Sequence, residues 1–272
     1  MEYKELGKTG IKVPEIGLGT WLYSGGREPL LNGLDMGAFL IDTAEGYGTE
    51  VAVGDAISER RNEVFLATKV SPSNLRYDDV LIAADRSLHN LATDYIDLYQ
   101  VHWPNPGIPI EETMGAMDHL IMEGKVRFVG VSNFSAEQLR LAQGHFRNQI
   151  VSNQVLYNLI DRHIESEVMP YCEANNITVI AYSPFGQNLD SLKESFNGEL
   201  GRIALEVGKT EAQVALNWCI AKEKVIVIPK SNSIERTTEN CNSSGWRLNT
   251  DQLKRLDSLG NRRDRIPSWG NF

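Results

Sequence analysis

Cysteine is scarce in this chain. Cys172, Cys219 and Cys241 are the three among 272 residues, and they show no C-x-x-C spacing. An odd, scattered set excludes a disulfide framework and a cysteine zinc site, and leaves reduced structural thiols in a cytoplasmic protein as the expectation. Basic clusters are missing too. Lys and Arg total 27 against 36 Asp and Glu, a net charge of -9, which argues against a nucleic-acid or anionic-membrane surface. No apolar run is long enough to span a bilayer, and the opening "MEYKELGKTG" lacks the apolar centre of a signal peptide. Nor does any Pro/Ser/Gly-rich linker or low-complexity segment interrupt the chain. Residues 1–272 are therefore expected to form a single domain, which at this size buries about 75% of its unfolded surface.

What the chain does have is a short apolar run followed by a helical pattern, eight times over. The runs are "EIGLG" (15–19), "AFLID" (38–42), "VFLATK" (64–69), "YIDLYQVH" (95–102), "VRFVGVS" (126–132), "IVSNQV" (150–155), "TVIAYS" (178–183) and "VIVIPK" (225–230). Several are β-branched and nearly unbroken by polar residues, as strands buried on both faces must be. Between them lie helix signals. Pro29 suits the first turn of a helix near 28–36, and Asp78 can cap one whose Leu81, Ala84, Leu88 and Leu91 share a face. Ser135 and Thr210 each precede a Gln by three residues (Gln138, Gln213), the capping-box spacing. Ile164, Val168, Tyr171 and Cys172 form another apolar stripe. Eight strands alternating with helices predict an α/β fold, a closed (β/α)8 TIM barrel. "YKELGKTGIKVP" reads as an N-terminal β-hairpin, and 250–259 as an extra helix. A doubly wound dinucleotide fold needs G-x-G-x-x-G, and "GLGTWL" (17–22) puts Leu22 where the third glycine belongs.

In such a barrel the active site forms at the C-terminal strand ends. Those ends carry Asp42 with Tyr47 just beyond, Lys69, His102–Trp103, Ser132–Asn133, Gln154, Tyr182–Ser183 and Lys230–Ser231. Singly, each has an ordinary reading: Asp42 a helix cap, Tyr47 a rim aromatic, Lys69 a solvated lysine, His102 an interior histidine. The combination is what chance does not supply.

Four chemistries compete for this mouth. Asp42 and Glu45 as a glycosidase pair are only three positions apart on one turn, whereas the two acids must flank a sugar. A metal-dependent hydrolase wants several ligands; His89, His119, His145 and His163 lie in helical or loop segments without ligand spacing, so no metal site is expected. Lys69 as a Schiff-base nucleophile would be kept protonated by a carboxylate neighbour. Tyr47 as general acid fits best. A phenol titrates near about 10, and Lys69, held charged by Asp42, is expected to lower that value. His102 would orient a carbonyl oxygen. Such a site reduces C=O groups if something supplies hydride.

A cofactor place is also legible. "IPKSNSIERTTEN" (228–240) follows the last strand and opens a helix at about Ser233. There Lys230, Ser231 and Arg236 would surround a ribose phosphate. Tyr182, with Ser183 beside it, offers a face for a nicotinamide, and Ser132, Asn133 and Gln154 offer partners for its carboxamide.

The motifs "GLGTW" (17–21), "IDTAEGYG" (41–48), "ATK" (67–69), "DLYQVHWP" (97–104), "IEETMGAMDHLIMEGKVRFVGVSNF" (110–134), "NQVLYN" (153–158) and "AYSPFG" (181–186), with the 228–240 segment, stand in the order found in aldo-keto reductases. Over essentially its whole length the chain resembles that family, as a compact prokaryotic-type member. The resemblance implies a (β/α)8 barrel and an Asp42, Tyr47, Lys69, His102 tetrad with Tyr47 as proton donor. It also implies NADP(H), with Lys230, Ser231 and Arg236 on the 2′-phosphate and Glu239 and Asn240 near the adenine. Small carbonyl or alcohol substrates are expected, and a monomer or weak homo-oligomer. The chain departs from better-known members in a short segment after Ser183, with no helical pattern over 184–198, and in Ser71, where some carry a tryptophan. A more open pocket follows, floored by Trp21, Tyr47, His102 and Trp103, with Trp269 folding over it. Glu45 is then a loop or rim residue. Two readings of other classes stand beside this one: an NADPH-binding regulatory subunit with vestigial chemistry, and a barrel aldolase or hydrolase needing no nicotinamide.

Overall fold

Parallel strands β3 (Leu18–Gly19), β4 (Leu40–Asp42), β5 (Phe65–Val70), β6 (Ile96–Val101), β7 (Val126–Ser132), β8 (Ile150–Leu156), β9 (Thr178–Tyr182) and β10 (Val225–Val227) lie side by side in chain order. Ahead of them β1 (Tyr3–Glu5) and β2 (Lys12–Pro14) pair antiparallel, the expected hairpin. The computed structural model describes residues 1–186, 188–196 and 198–259, Leu259 by its backbone alone. The expected cover by Trp269 lies outside the described residues.

The sheet closes on itself. Parallel bridges join Ile16 to Val227 and Gly19 to Lys230, and the Gly17 and Gly19 amides donate to the Val227 and Pro229 carbonyls at 2.8 and 3.2 Å. A Cβ on Gly19 would stand 2.5 Å from the Ile228 carbonyl oxygen, so only glycine lets the two edges approach. Pro229 has no amide hydrogen to donate, and the last strand ends at Val227 rather than running to 230. Leu6 and Val13 of the hairpin pack with Leu98, Ile180 and Ile226 inside the barrel. Lys4 Nζ donates to the Ile220, Lys222 and Val225 carbonyls at 2.6, 2.7 and 2.7 Å, fastening the hairpin across the base.

Helices α1 (Glu28–Asp35), α2 (Glu50–Ile57), α3 (Tyr77–Asn90), α4 (Ile110–Met122), α5 (Ala136–Gly144), α6 (Val168–Ala174), α7 (Leu189–Ser195), α8 (Glu199–Val207), α9 (Glu211–Ile220), α10 (Ile234–Cys241) and α11 (Thr250–Leu259) cover the outside. Both capping boxes form: Ser135 accepts from the Gln138 amide and Thr210 from the Gln213 amide, each reciprocated by the glutamine side chain. Two expectations need correction. Asp78 lies inside the first turn of α3, whose cap position is Arg76; there it complements the helix dipole instead of capping a backbone amide. The segment after Ser183 is not plain loop, because Asn188 accepts from the Ser191 amide and starts the short α7. Among the described residues no helix is long and apolar enough to cross a membrane.

Candidate active site

The C-terminal strand ends open into a cavity of about 1040 Å³. At its base Lys69, wholly buried on β5, spends its ammonium on three oxygens. It donates to Asp42 Oδ1 at 2.6 Å, to the Thr43 carbonyl at 2.9 Å and to the Tyr47 hydroxyl at 3.3 Å. His102 Nε2 lies 3.5 Å from the same hydroxyl. Asp42, Tyr47 and His102 line the cavity, with Lys69 packed behind them. The structure thus brings the four predicted residues together around one phenolic oxygen.

The electrostatics follow from burial. Desolvation works against the Lys69 charge, yet the adjoining Asp42 carboxylate and the Tyr47 oxygen raise its pKa above the ordinary lysine value. Burial, with Lys69 adding to it, pushes His102 down to about 3, so this imidazole is neutral across the physiological range. The expectation for Tyr47 is corrected. Burial drives its phenol upward, Lys69 pulls it back only in part, and Asp42 opposes Lys69; the net direction is above the ordinary tyrosine value. Tyr47 therefore keeps its proton at neutral pH, the state that a proton donor requires.

Asp42 is held on both oxygens. Gln100 Nε2 and Gln154 Nε2 donate to its Oδ2 at 3.2 and 2.8 Å. Sequence reasoning missed Gln100. Its signal was parity, since Gln100 stands two residues after Leu98 on β6 and two before His102, which follows the strand, on the inward face. Glu45, by contrast, does not pair with Asp42. Its carboxylate accepts from the Ser71 amide at 2.5 Å, Asn74 Nδ2 at 3.0 Å and Arg86 Nη2 at 2.5 Å. The Asp42–Glu45 pair is thereby set aside, and Glu45, expected as a loop or rim residue, is a turn residue anchored by three donors.

Above the tetrad the predicted cofactor residues form a prepared wall. Asn133 sits at φ +63°, a left-handed backbone that asparagine tolerates. Its Nδ2 donates to the His102 carbonyl at 3.2 Å and to Ser132 Oγ at 3.0 Å, and its Oδ1 accepts from the Tyr182 hydroxyl at 2.9 Å. The Ser132 hydroxyl donates to the Gln154 carbonyl at 2.8 Å. Ser183, at φ +48°, has its carbonyl fixed by Asn158 Nδ2 at 3.1 Å. Ser132, Asn133, Gln154, Tyr182 and Ser183 all line the cavity.

At the far end the cavity meets α10. Ser233 caps that helix, Lys230 and Arg236 are exposed, and both line the cavity with Glu239 and Asn240. Ser231 is not among the lining residues; its hydroxyl donates to the Ser233 carbonyl at 2.9 Å and accepts from the Ser233 amide at 3.2 Å. A dinucleotide phosphate fits this donor set: Lys230 just before α10 and Arg236 in its first turn put two exposed cations beside a helix N-terminus in the cavity that the tetrad also lines.

The substrate side also needs adjustment. Trp103 is buried in the wall, whereas Trp21 is 45% exposed and forms a rim rather than a floor. Gly46, Ser71, Pro72 and Ser73 line a corner of the cavity with Tyr47. Phe185, Asn188 and Leu189 form a wall that sequence reasoning did not name. An Asn three residues before Ser191, ahead of the Leu189–Leu192 spacing, was the available signal for it.

The profile of the Aldo/keto reductase family matches residues 15–261. Methylglyoxal reductase YeaE of Escherichia coli is 37% identical over 260 residues, covering 91% of each chain. The thermostable aldo-keto reductase Tm1743, solved with the inhibitor epalrestat, superimposes with a TM-score of 0.90 at 40% identity, covering 96% of this chain and 100% of that one. An aldo/keto reductase of Klebsiella pneumoniae, solved with NADP and acetate, gives 0.89 at 36% identity with 97% of each chain covered.

Proposed function

This chain belongs to the aldo/keto reductase family, and from that premise we propose that it reduces small aldehydes and ketones to alcohols with NADPH, Tyr47 giving the proton. The observation that carries the reading is the single phenolic oxygen within 3.3 Å of Lys69 Nζ and 3.5 Å of His102 Nε2, facing the cavity that also reaches Lys230 and Arg236. NADPH, when bound, supplies hydride to the carbonyl carbon.

The chain's own residues do the rest. Lys230 and Arg236 hold the 2′-phosphate, and Ser132, Asn133, Gln154 and Tyr182 place the ring end over the tetrad. Neutral His102 offers Nε2 to the carbonyl oxygen and aligns it with the Tyr47 hydroxyl. Charge grows on that oxygen as the bond order falls, and Tyr47 transfers its proton there. The phenolate left behind sits against the Lys69 ammonium, whose charge Asp42 sustains, until solvent returns a proton. One carbonyl, one NADPH and one proton give one alcohol and one NADP⁺; the reverse direction uses the same atoms.

The likeness to a methylglyoxal reductase puts α-oxoaldehydes of the methylglyoxal type first in the substrate class. NADPH consumption measured against methylglyoxal, simple aldehydes, aldoses and keto-acids tests this. Turnover with methylglyoxal at the highest kcat/KM is the expected result. NADPH binding without turnover across the panel would replace catalysis by the regulatory reading, and turnover without nicotinamide would overturn both.

A further inference from the structure

We propose that Glu45 is a positioning residue: it clamps the turn that carries Tyr47 onto the loop after β5 and onto α3, and so fixes the phenol against Lys69 and His102. The inference rests on the reading of Tyr47 as proton donor.

Tyr47 ends a single 3-10 turn, Glu45–Tyr47, followed by Gly48 in a left-handed conformation at φ +69°. The turn has little backbone support of its own. The Tyr47 amide donates to the Ala44 carbonyl at 3.0 Å, and the Gly48 amide reaches the Glu45 carbonyl only at 3.5 Å. A three-residue 3-10 turn has poorer hydrogen-bond geometry than an α-helix and leaves the placement of Tyr47 to contacts outside the turn. The Glu45 carboxylate supplies the missing constraint. Its Oε1 accepts from the Ser71 amide and from Asn74 Nδ2, tying the turn to the loop that follows the Lys69 strand. Its Oε2 accepts from Arg86 on α3.

The Glu45 side chain is 7% exposed, although Arg86 over it is 50% exposed. These are charge-assisted bonds in a largely dry setting, stronger than neutral ones. Burial works against the carboxylate charge, yet the three donors hold its pKa below the ordinary glutamate value, so the clamp is ionised at neutral pH. Ser71 and Gly46, which the clamp brings together, also line the substrate corner. One anion thereby sets both the acid and the wall facing it. Displacing a reacting group by about 1 Å costs on the order of 100-fold in rate.

The experiment compares the wild type with Glu45→Ala, Glu45→Gln and Arg86→Met in kcat for methylglyoxal reduction, in NADPH Kd by fluorescence quenching, and in Tm. Glu45→Ala is expected to lose about 10- to 100-fold in kcat, with NADPH Kd within about twofold of wild type. Glu45→Gln keeps a carbonyl acceptor for Ser71 and Asn74, and is expected to recover most of that loss. Arg86→Met, which leaves the carboxylate on Ser71 and Asn74, should lie between them. Should Glu45→Ala fail to fold, the ordering of Glu45→Gln and Arg86→Met carries the test. Wild-type kcat in a folded Glu45→Ala overturns the proposal, as does wild-type kcat in Arg86→Met where Glu45→Ala does not fold, or a parallel loss of NADPH binding. If wild-type protein reduces no carbonyl, the proposed function fails instead; if Tyr47→Phe is inactive while Glu45→Ala is not, only the clamp fails.

Discussion

Lys69 and Asp42 form an ion pair of 2.6 Å with side chains 0% and 3% exposed, inside a barrel whose interior also packs Leu98, Ile180 and Ile226. Two charges taken that far from water are tolerable only while each neutralises the other, and removing one partner strands the other. The pair is therefore both a structural hazard and the source of the charge beside Tyr47.

Lys69→Met should destabilise the fold by about 3–5 kcal/mol, because the Asp42 carboxylate is left buried without its cation. Asp42→Asn in the Lys69→Met background should recover part of that loss and none of the activity, since the phenolate then has no ammonium beside it. Urea unfolding of the two single variants and the double variant measures the coupling. Strict additivity of the two losses contradicts the pairing.

The pH dependence of stability carries the signature of His102. Its folded pKa of about 3 lies below the unfolded value of about 6.5. The unfolded chain thus binds the extra proton first as pH falls. The stability tied to neutral His102 is fully present above about pH 6.5 and is lost progressively toward 3. Between pH 6.5 and 5 the wild type should lose stability more steeply than His102→Asn, by up to about one proton in slope. Equal slopes in urea titrations at those pH values would show that His102 titrates normally. Reduction should show no inflection near 6.5 and should fall only in the alkaline range, because burial holds the Tyr47 phenol above its ordinary value.

Cofactor choice is expected to reside at the α10 end of the cavity. Arg236→Ala should weaken NADPH about tenfold or more while leaving NADH nearly unchanged, since it removes a charged partner of a phosphate that NADH lacks. Lys230→Ala should act in the same direction. Kd values for the two nucleotides at low and moderate salt decide it, and equal losses for both would place the cations elsewhere on the dinucleotide.

The barrel was readable because both of its signals are local. Runs such as 225–227 are apolar throughout, and the Ser135 and Thr210 boxes need only three residues of spacing. The tetrad was readable because each member closes or follows such a run. What escaped depends on distance in space. Glu45 meets Arg86 across 41 positions of sequence, and nothing near Glu45 announces that partner. The net direction of the Tyr47 pKa is set by how deeply the folded chain covers the phenol, against which the Lys69 charge, visible in the sequence, is the weaker influence. Pro229 did signal that the last strand stops early, but the run "VIVIPK" concealed it.

Gln100 supports a last prediction, on the order in which the supports of Asp42 matter. Its Nε2 reaches Asp42 Oδ2 at 3.2 Å, and Gln154 reaches the same oxygen at 2.8 Å. A hydrogen bond to a charged acceptor contributes about 1.5–3 kcal/mol, and the longer, shared one belongs at the low end. Gln100→Leu keeps nearly the same volume and leaves Asp42 with Lys69 and Gln154, so about 1–2 kcal/mol of stability and a few-fold of kcat should go. Gln154→Leu removes the shorter bond and a wall of the cavity at once. It should therefore cost more stability than Gln100→Leu and, unlike it, also raise the NADPH Kd. Equilibrium unfolding together with nucleotide titration separates the two. A Gln100→Leu variant that weakens NADPH as much as Gln154→Leu would mean that Gln100 acts through Gln154 rather than through Asp42.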